Sequence, residues 1–283
     1  MTSATTPTMT TTPARPRLVF AHANGFPGLS YRSLLAPLAD TFEVTPLDRL
    51  GHHPDYPVNH NWANLVDELL SYLPDTGAPL LGVGHSLGGT LMAMAADKQP
   101  DRFCGVIMLD PPLMLGPDAW AMKAAKRFGF IDRITPAGKT QGRRSVWPSR
   151  EVMASYLSRR GLFRRFTPDA LNDYIEAGTR LLEDGSAELT FDPRIEVEIF
   201  RHLPDHLSRL PSRVGVPLEL VAGQESHLLT ASRIKRLRRN GLKVAQVPGT
   251  HMFPMEHPDE TRAAILAAWQ RLSRTSASPS HTA

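Results

Sequence analysis

Residues 82–97 read GVGHSLGGTLMAMAAD, with Ser86 between Gly84 and Gly88, an apolar run before it and an alanine-rich apolar run after it. The first run has the length and composition of a strand buried on both faces, and the second reads as a buried helix. A serine at such a junction needs a sharp turn. Glycine two positions before and two after removes the Cβ atoms that would meet the neighbouring strand or helix. This is the G-x-S-x-G nucleophile elbow, which lifts the hydroxyl above a sheet and turns the following N–H, that of Leu87, toward a developing oxyanion.

Outward from this stretch, similar apolar runs bounded by turn residues recur at 17–22 (RLVFAH), 42–48 (FEVTPLD), 80–86 (LLGVGHS), 104–110 (CGVIMLD), 218–223 (LELVAG) and 243–249 (KVAQVPG). Helical patterning falls at 30–39, 62–73, 87–97, 231–239 and 259–273. Strand and helix in alternation imply a mainly parallel sheet covered on both sides. Between Asp110 and Pro217 the alternation stops. Helical stretches such as REVMASYLSRR and PDALNDYIEAGTRLLED fill that interval, with no run that reads as a core strand. The expected division is a core of residues 17–110 and 211–274, a helical insertion at 111–210 after the fourth strand, and tails at 1–16 and 275–283.

Composition narrows the function classes. A chain of 283 residues with 41% hydrophobic content buries a sizeable core. The lone Cys104 rules out a disulfide framework within a monomer and reads as a small buried hydrophobe, which fits a cytoplasmic setting. The first sixteen residues are rich in threonine and proline, lack an apolar signal core, and read as a flexible tail. No run approaches the ~20 apolar residues of a membrane span. Charge is uneven: residues 123–165 carry twelve Lys or Arg against two acids, and 166–209 carry four Arg against ten acids. Such blocks read as solvated faces that pair with one another, or as a docking face for an anionic substrate. No nucleic-acid partner is expected. No metal or cofactor is expected either: His202 and His206 are split by Pro204, no carboxylate or cysteine motif completes a site, and neither a dinucleotide fingerprint nor a P-loop is present.

Together, GHSLGG at the elbow, HANGFPG after the first strand, DRLGHH after the second and GTHMFPMEHP after the last resemble the α/β-hydrolase superfamily over about residues 17–273. The resemblance implies an α/β fold with a sheet of about six core strands, because the first two strands common in the superfamily would lie before Arg17. It also implies an inserted helical cap. A serine needs a base, since its hydroxyl is scarcely ionised at neutral pH. The resemblance places that base at His251, beyond the last strand. For the orienting acid the superfamily offers two locations. After LELVAG the usual pattern would put Asp where GQES has Ser226, leaving Glu225 as the nearest carboxylate; the alternative, at the end of the strand after the nucleophile, holds Asp110 in MLDPP. Asp110 is the preferred acid and Glu225 its rival. The resemblance takes the second oxyanion donor, beside Leu87, from the HANGFPG loop: Asn24, counted without a gap, is preferred, with Phe26 its rival if the loop's extra residues come earlier. His22 is expected to organise that loop and His85 to line the elbow, while Asp48 and Arg49 resemble a structural loop.

The function expected from these residues is a serine hydrolase that cleaves a carboxylic ester-type bond in a small molecule with an apolar acyl part. Leu113, Met114, Trp120, Met122, Phe128 and Trp147 are candidates to line its acyl site. A thioesterase, lactonase or carbon–carbon bond hydrolase would use the same triad, and a non-catalytic ligand receptor could retain the fold. Oligomeric state is not legible.

Overall fold

The computed structural model describes residues 15–75 and 77–276. Nine strands form among them: β1 (Arg17–Ala21), β2 (Glu43–Pro46), β3 (Leu80–His85), β4 (Phe103–Leu109), β5 (Val146–Trp147), β6 (Thr179–Leu181), β7 (Ala187–Leu189), β8 (Leu218–Gly223) and β9 (Lys243–Val247). Six of them pair in the order β2-β1-β3-β4-β8-β9, every pair parallel. All six match the runs read from sequence. The chain crosses from β2 past β1 to β3, and parallel pairing sets the C-terminal ends of β1, β3, β4 and β8 side by side.

Successive residues of a strand point to opposite faces, so the central strands β1, β3, β4 and β8, covered on both, are mostly apolar, whereas the edge strands β2 and β9 keep Glu43, Thr45, Lys243 and Gln246 exposed. Val19, Ala21, Val106, Met108 and Leu220 enter one core; Leu18, Phe20, Ile107, Leu109 and Val221 enter the other. Helices α1 (Ala63–Tyr72) and α2 (Leu87–Lys98) cover the first face, joined by α7 (Ala231–Arg239). The second is covered by the short helical turns at 28–40 and by α8 (Pro258–Ser276), through Leu34, Leu38, Ile265 and Leu272. Burying one such Leu or Ile side chain contributes about 1.5–3 kcal/mol, so these stripes hold the helices to the sheet. Cys104 on β4 is only partly buried.

Between β4 and β8 lie α3 (Pro117–Arg127), α4 (Arg150–Leu157), α5 (Pro168–Gly178) and α6 (Pro193–Arg201). Caps written in the sequence start three of them. Ser149, Thr167 and Asp192 accept the N–H groups of Val152, Ala170 and Arg194, and Pro168 and Pro193 occupy first-turn positions that need no donor. The segment is not wholly helical as expected. It also holds an antiparallel sheet, β5-β7-β6. The helix expected to run on through Asp184 stops at Gly178, and the chain reverses at Asp184-Gly185, where Gly185 has φ +81°. Asp-Gly is a hairpin signal, but the flanking strands, three residues each, are too short to show a period.

The two charge blocks pair with each other across this segment: Lys126 with Asp205 at 3.0 Å, Arg143 with Glu196 at 2.6 Å, and Asp132 with Arg201 at 2.7 Å. The expected tails lie outside the described residues, apart from Arg15 and Pro16 and the end of α8, which runs on to Ser276.

Candidate active site

Ser86 sits between the last residue of β3 and the first of α2, with φ +52° and ψ −112°. That backbone conformation costs a non-glycine residue about 1–3 kcal/mol, and the surroundings impose it. A Cβ on Gly84 would lie 2.3 Å from the carbonyl carbon of Gly88, and one on Gly88 would lie 2.1 Å from the oxygen of Ala21. The turn is pinned further by Ser86 N–H donating to Leu109 O at 2.8 Å and Gly88 N–H donating to His22 O at 3.1 Å.

The loop after β9 brings His251 to this serine. Ser86 Oγ and His251 Nε2 are 3.0 Å apart, and His251 Nδ1 lies 2.7 Å from Asp110 Oδ2. Asp110 follows the last residue of β4, is fully buried, and has φ +45°. Its Oδ1 accepts the Gly223 N–H at 3.2 Å and its Oδ2 accepts the Ser226 hydroxyl at 2.5 Å. Three donors thus converge on a carboxylate that water does not reach. Because a carboxylate can only accept, Nδ1 of His251 carries the proton and Nε2 offers its lone pair to Ser86.

Ser226 therefore stands where the superfamily's commoner acid would be, and its hydroxyl crosses to Asp110 while accepting the N–H groups of Leu228 and Leu229, both at 3.1 Å. Glu225 points away. Its carboxylate, 56% exposed, makes a two-bond pair with Arg165, both at 2.8 Å.

Behind the site runs a buried chain the sequence did not reveal. Ala23 N–H donates to Tyr31 Oη at 3.2 Å, the Tyr31 hydroxyl donates to His85 Nδ1 at 2.7 Å, and His85 Nε2–H donates to the His251 carbonyl at 2.8 Å. It ties the loop after β1, the elbow and the His251 loop together. Burial holds the His85 imidazole well below its ordinary range, so it stays neutral with a single tautomer. His22, expected to organise its loop, donates from Nδ1 to Ala23 O and accepts the Leu50 N–H at Nε2, both at 2.8 Å.

Burial lowers His22 from 6.5 to about 4. Neutral His22 favours the folded chain at pH above 6.5, and that contribution is lost as pH falls from 6.5 toward 4, because only the unfolded chain takes up the proton. The loss amounts to about 2 kcal/mol by pH 5. Urea midpoints measured between pH 7.5 and pH 5 are expected to fall accordingly, with His22→Gln removing this part of the slope; an unchanged slope in that variant would mean that His22 titrates alike in both states.

Of the loop donors, Phe26 N–H is committed to Ala23 O at 3.0 Å, whereas the N–H groups of Asn24 and Leu87 have no protein acceptor among the described residues. Both residues line a cavity of about 370 Å³ that also exposes Ser86 and His251. Met114, Met122, Ile134, Ile199 and Phe200 give it apolar walls, and Asn24, Arg143 and Glu196 make a polar one. Of the other residues expected to line it, Trp120 and Phe128 are instead 74% and 73% exposed, while Leu113 and Trp147 are buried in the cores. A three-to-four-residue spacing on a helix does not say which side meets the cavity. Burial pushes the Glu196 carboxyl up to about 7, with Arg143 acting against that rise.

A family model described as the alpha/beta hydrolase family matches residues 18–264. The chain belongs to that family. Among curated relatives, this hydrolase is similar to 2-(acetamidomethylene)succinate hydrolase of Mesorhizobium japonicum, at 24% identity over 88% of this chain and 86% of the relative. A solved structure of an E-2-(acetamidomethylene)succinate hydrolase aligns with a TM-score of 0.69 at 23% identity, covering 91% of this chain and 92% of that one. A type I acyl-CoA thioesterase of Penicillium roqueforti is 37% identical over 90 residues, 32% of this chain. The chain's match spans only 19–25% of the length of this and two further Penicillium thioesterases.

Among the described residues of the hydrolase, no group of three or more His, Cys, Asp and Glu side chains is arranged to hold a metal ion, and no helix is long and apolar enough to cross a membrane. His202, one of the spaced pair read from sequence, lies 3.4 Å from Glu198 instead. Ser226 was detectable in the sequence only as a failed match to an acidic position. Tyr31, Arg143 and Glu196 carry no local signal at all, since each acts through partners distant in the chain.

Proposed function

We propose that the protein is a serine hydrolase that cleaves a carboxylic ester-type bond through an acyl-enzyme on Ser86, with His251 as base and Asp110 as orienting acid. The observation that carries this reading is the chain of contacts from Ser86 Oγ to His251 Nε2, 3.0 Å, and from His251 Nδ1 to Asp110 Oδ2, 2.7 Å. As Oγ attacks the carbonyl carbon, its proton passes to Nε2, and the buried Asp110 carboxylate stabilises the imidazolium. The carbonyl oxygen gains negative charge and is met by the N–H groups of Leu87 and Asn24. Collapse of the tetrahedral intermediate breaks the ester bond, and the leaving oxygen takes the proton from Nε2. Water, deprotonated by the same nitrogen, then releases the acid. Residues 111–210 act as a cap over the cavity, as the contributions of Met114, Met122, Ile199 and Phe200 to its walls support.

A thioester in place of the oxygen ester is the second reading. The similarity to acyl-CoA thioesterases supports it, and the same groups serve, with a thiol as the leaving group.

A fluorophosphonate probe is expected to label one serine per chain, and a matched panel of p-nitrophenyl esters, thioesters and lactones to show turnover with a burst of one acyl group per labelled site. No labelling and no turnover anywhere in the panel would leave a ligand receptor on this fold as the better reading.

A further inference from the structure

Buried polar atoms in folded proteins nearly always have hydrogen-bond partners, so a cluster without them calls for an explanation. Here Asn24 Oδ1, Glu196 Oε2, and Arg143 Nε and Nη2 are all buried without a hydrogen-bond partner in the protein, and all three residues line the cavity that exposes Ser86. Asn24 and Glu196 are only 8% and 7% exposed. Their placement is built rather than incidental. Asn24 Nδ2–H donates to the Glu196 carbonyl at 2.9 Å, which leaves Oδ1 free for another donor. Gly25 lets the Glu196 carboxylate press against its loop, because a Cβ there would lie 3.1 Å from that carboxyl carbon. Arg143 Nη2 lies 2.6 Å from Glu196 Oε2 in an ion contact not aligned as a hydrogen bond.

We infer that Asn24, Arg143 and Glu196 form a subsite that hydrogen-bonds a neutral polar group of the substrate, a carboxamide or a hydroxyl. This deepens the proposed function and rests on it. The charge balance selects the chemistry. Arg143 and Glu196 offset each other at this wall, so a carboxylate placed between them meets Glu196 and an ammonium meets Arg143, while Lys139 is a further cation lining the same cavity. A carboxamide suits both: its oxygen accepts from Arg143 Nε–H, and its N–H donates to Asn24 Oδ1 or Glu196 Oε2. A hydroxyl does the same with one atom. An alkyl group in that place would leave the buried polar atoms unpaired, and a site built for hydrogen bonds rejects such an analogue strongly.

The test compares kcat/KM at pH 8, where Glu196 is ionised, for esters bearing a terminal carboxamide, its isopropyl isostere or a carboxylate, with the group placed in the acyl part in one series and in the alcohol part in another. In at least one series the carboxamide is expected to exceed the isopropyl ester by about ten- to a hundredfold, with the carboxylate below it. Arg143→Met combined with Glu196→Leu, which replaces the ion contact by apolar groups of similar size, should bring the ratio of carboxamide to isopropyl kcat/KM within the variant to about one or below. Glu196→Gln alone should raise the carboxylate ester relative to wild type, because Arg143 is then no longer neutralised. Equal rates for carboxamide and isopropyl esters in both series, a carboxylate preferred by the wild type, or a carboxamide preference that survives the double variant would each overturn the subsite. Should nothing turn over, calorimetry of the matching amides with the Ser86→Ala protein decides the subsite by itself, since fluorophosphonate labelling reports separately on the nucleophile.

Discussion

Replacing Ser86 with alanine is expected to lower kcat by about 10⁴- to 10⁶-fold and to abolish fluorophosphonate labelling. The expectation has two parts. The hydroxyl oxygen would form the acyl bond, its neighbour is His251 Nε2 at 3.0 Å, and no other hydroxyl among the described residues hydrogen-bonds that nitrogen. The fold, by contrast, does not depend on that oxygen. The φ of +52° is no worse for alanine than for serine, the hydrogen bond from the residue 86 N–H to Leu109 O is retained, and Gly84 and Gly88 still allow the close crossing. A melting temperature within a few degrees of wild type should therefore accompany the loss. Esterase turnover near the wild-type rate in a folded Ser86→Ala protein would place the nucleophile elsewhere.

The second large effect separates two carboxylates. Asp110→Asn is expected to lower kcat by about 10⁴-fold while the chain still folds. The new amide retains one acceptor but adds a donor, and the groups that now face Asp110 are all donors: His251 Nδ1–H, the Ser226 hydroxyl and the Gly223 N–H. If the amide nitrogen faces His251, the proton moves to Nε2 and the lone pair no longer meets Ser86. In that place the amide nitrogen also meets the Ser226 hydroxyl, whose oxygen already accepts from Leu228 and Leu229, and turned to the other place it meets the Gly223 N–H, again a donor. Glu225→Gln should change kcat by no more than a fewfold and stability little, because its partner Arg165 holds it in an exposed, solvent-screened ion pair. Steady-state kinetics on both variants, with circular dichroism to verify folding, decides the matter. The opposite ranking would transfer the orienting role to the loop after β8.

The central strands β1, β3, β4 and β8 were legible because burial on both faces makes them mostly apolar, and the edge strands β2 and β9 as short runs bounded by turn residues. Ser86 and its glycines were legible because the elbow's steric demands fall within five consecutive residues. The short sheet β5-β7-β6 was not, since strands of two or three residues leave no period and α5 ends on nothing stronger than Gly178.

Sequence by itself determined the alternating α/β architecture, the position of the elbow, and a short set of candidates for the groups around it, because those depend on side-chain type and local spacing. Only the tertiary structure decided which candidates meet. His251 lies 165 residues from Ser86 and 141 from Asp110, and they come together because parallel pairing sets the ends of β3, β4, β8 and β9 on one edge of the sheet. The same edge brings Ser226 to Asp110 and leaves Glu225 outside with Arg165. It also brings Asn24 on the loop after β1 to Glu196 on α6, 172 residues away. No local pattern could encode that polar wall, since the hydrogen bonds and charges that define it exist only between segments the fold has folded together.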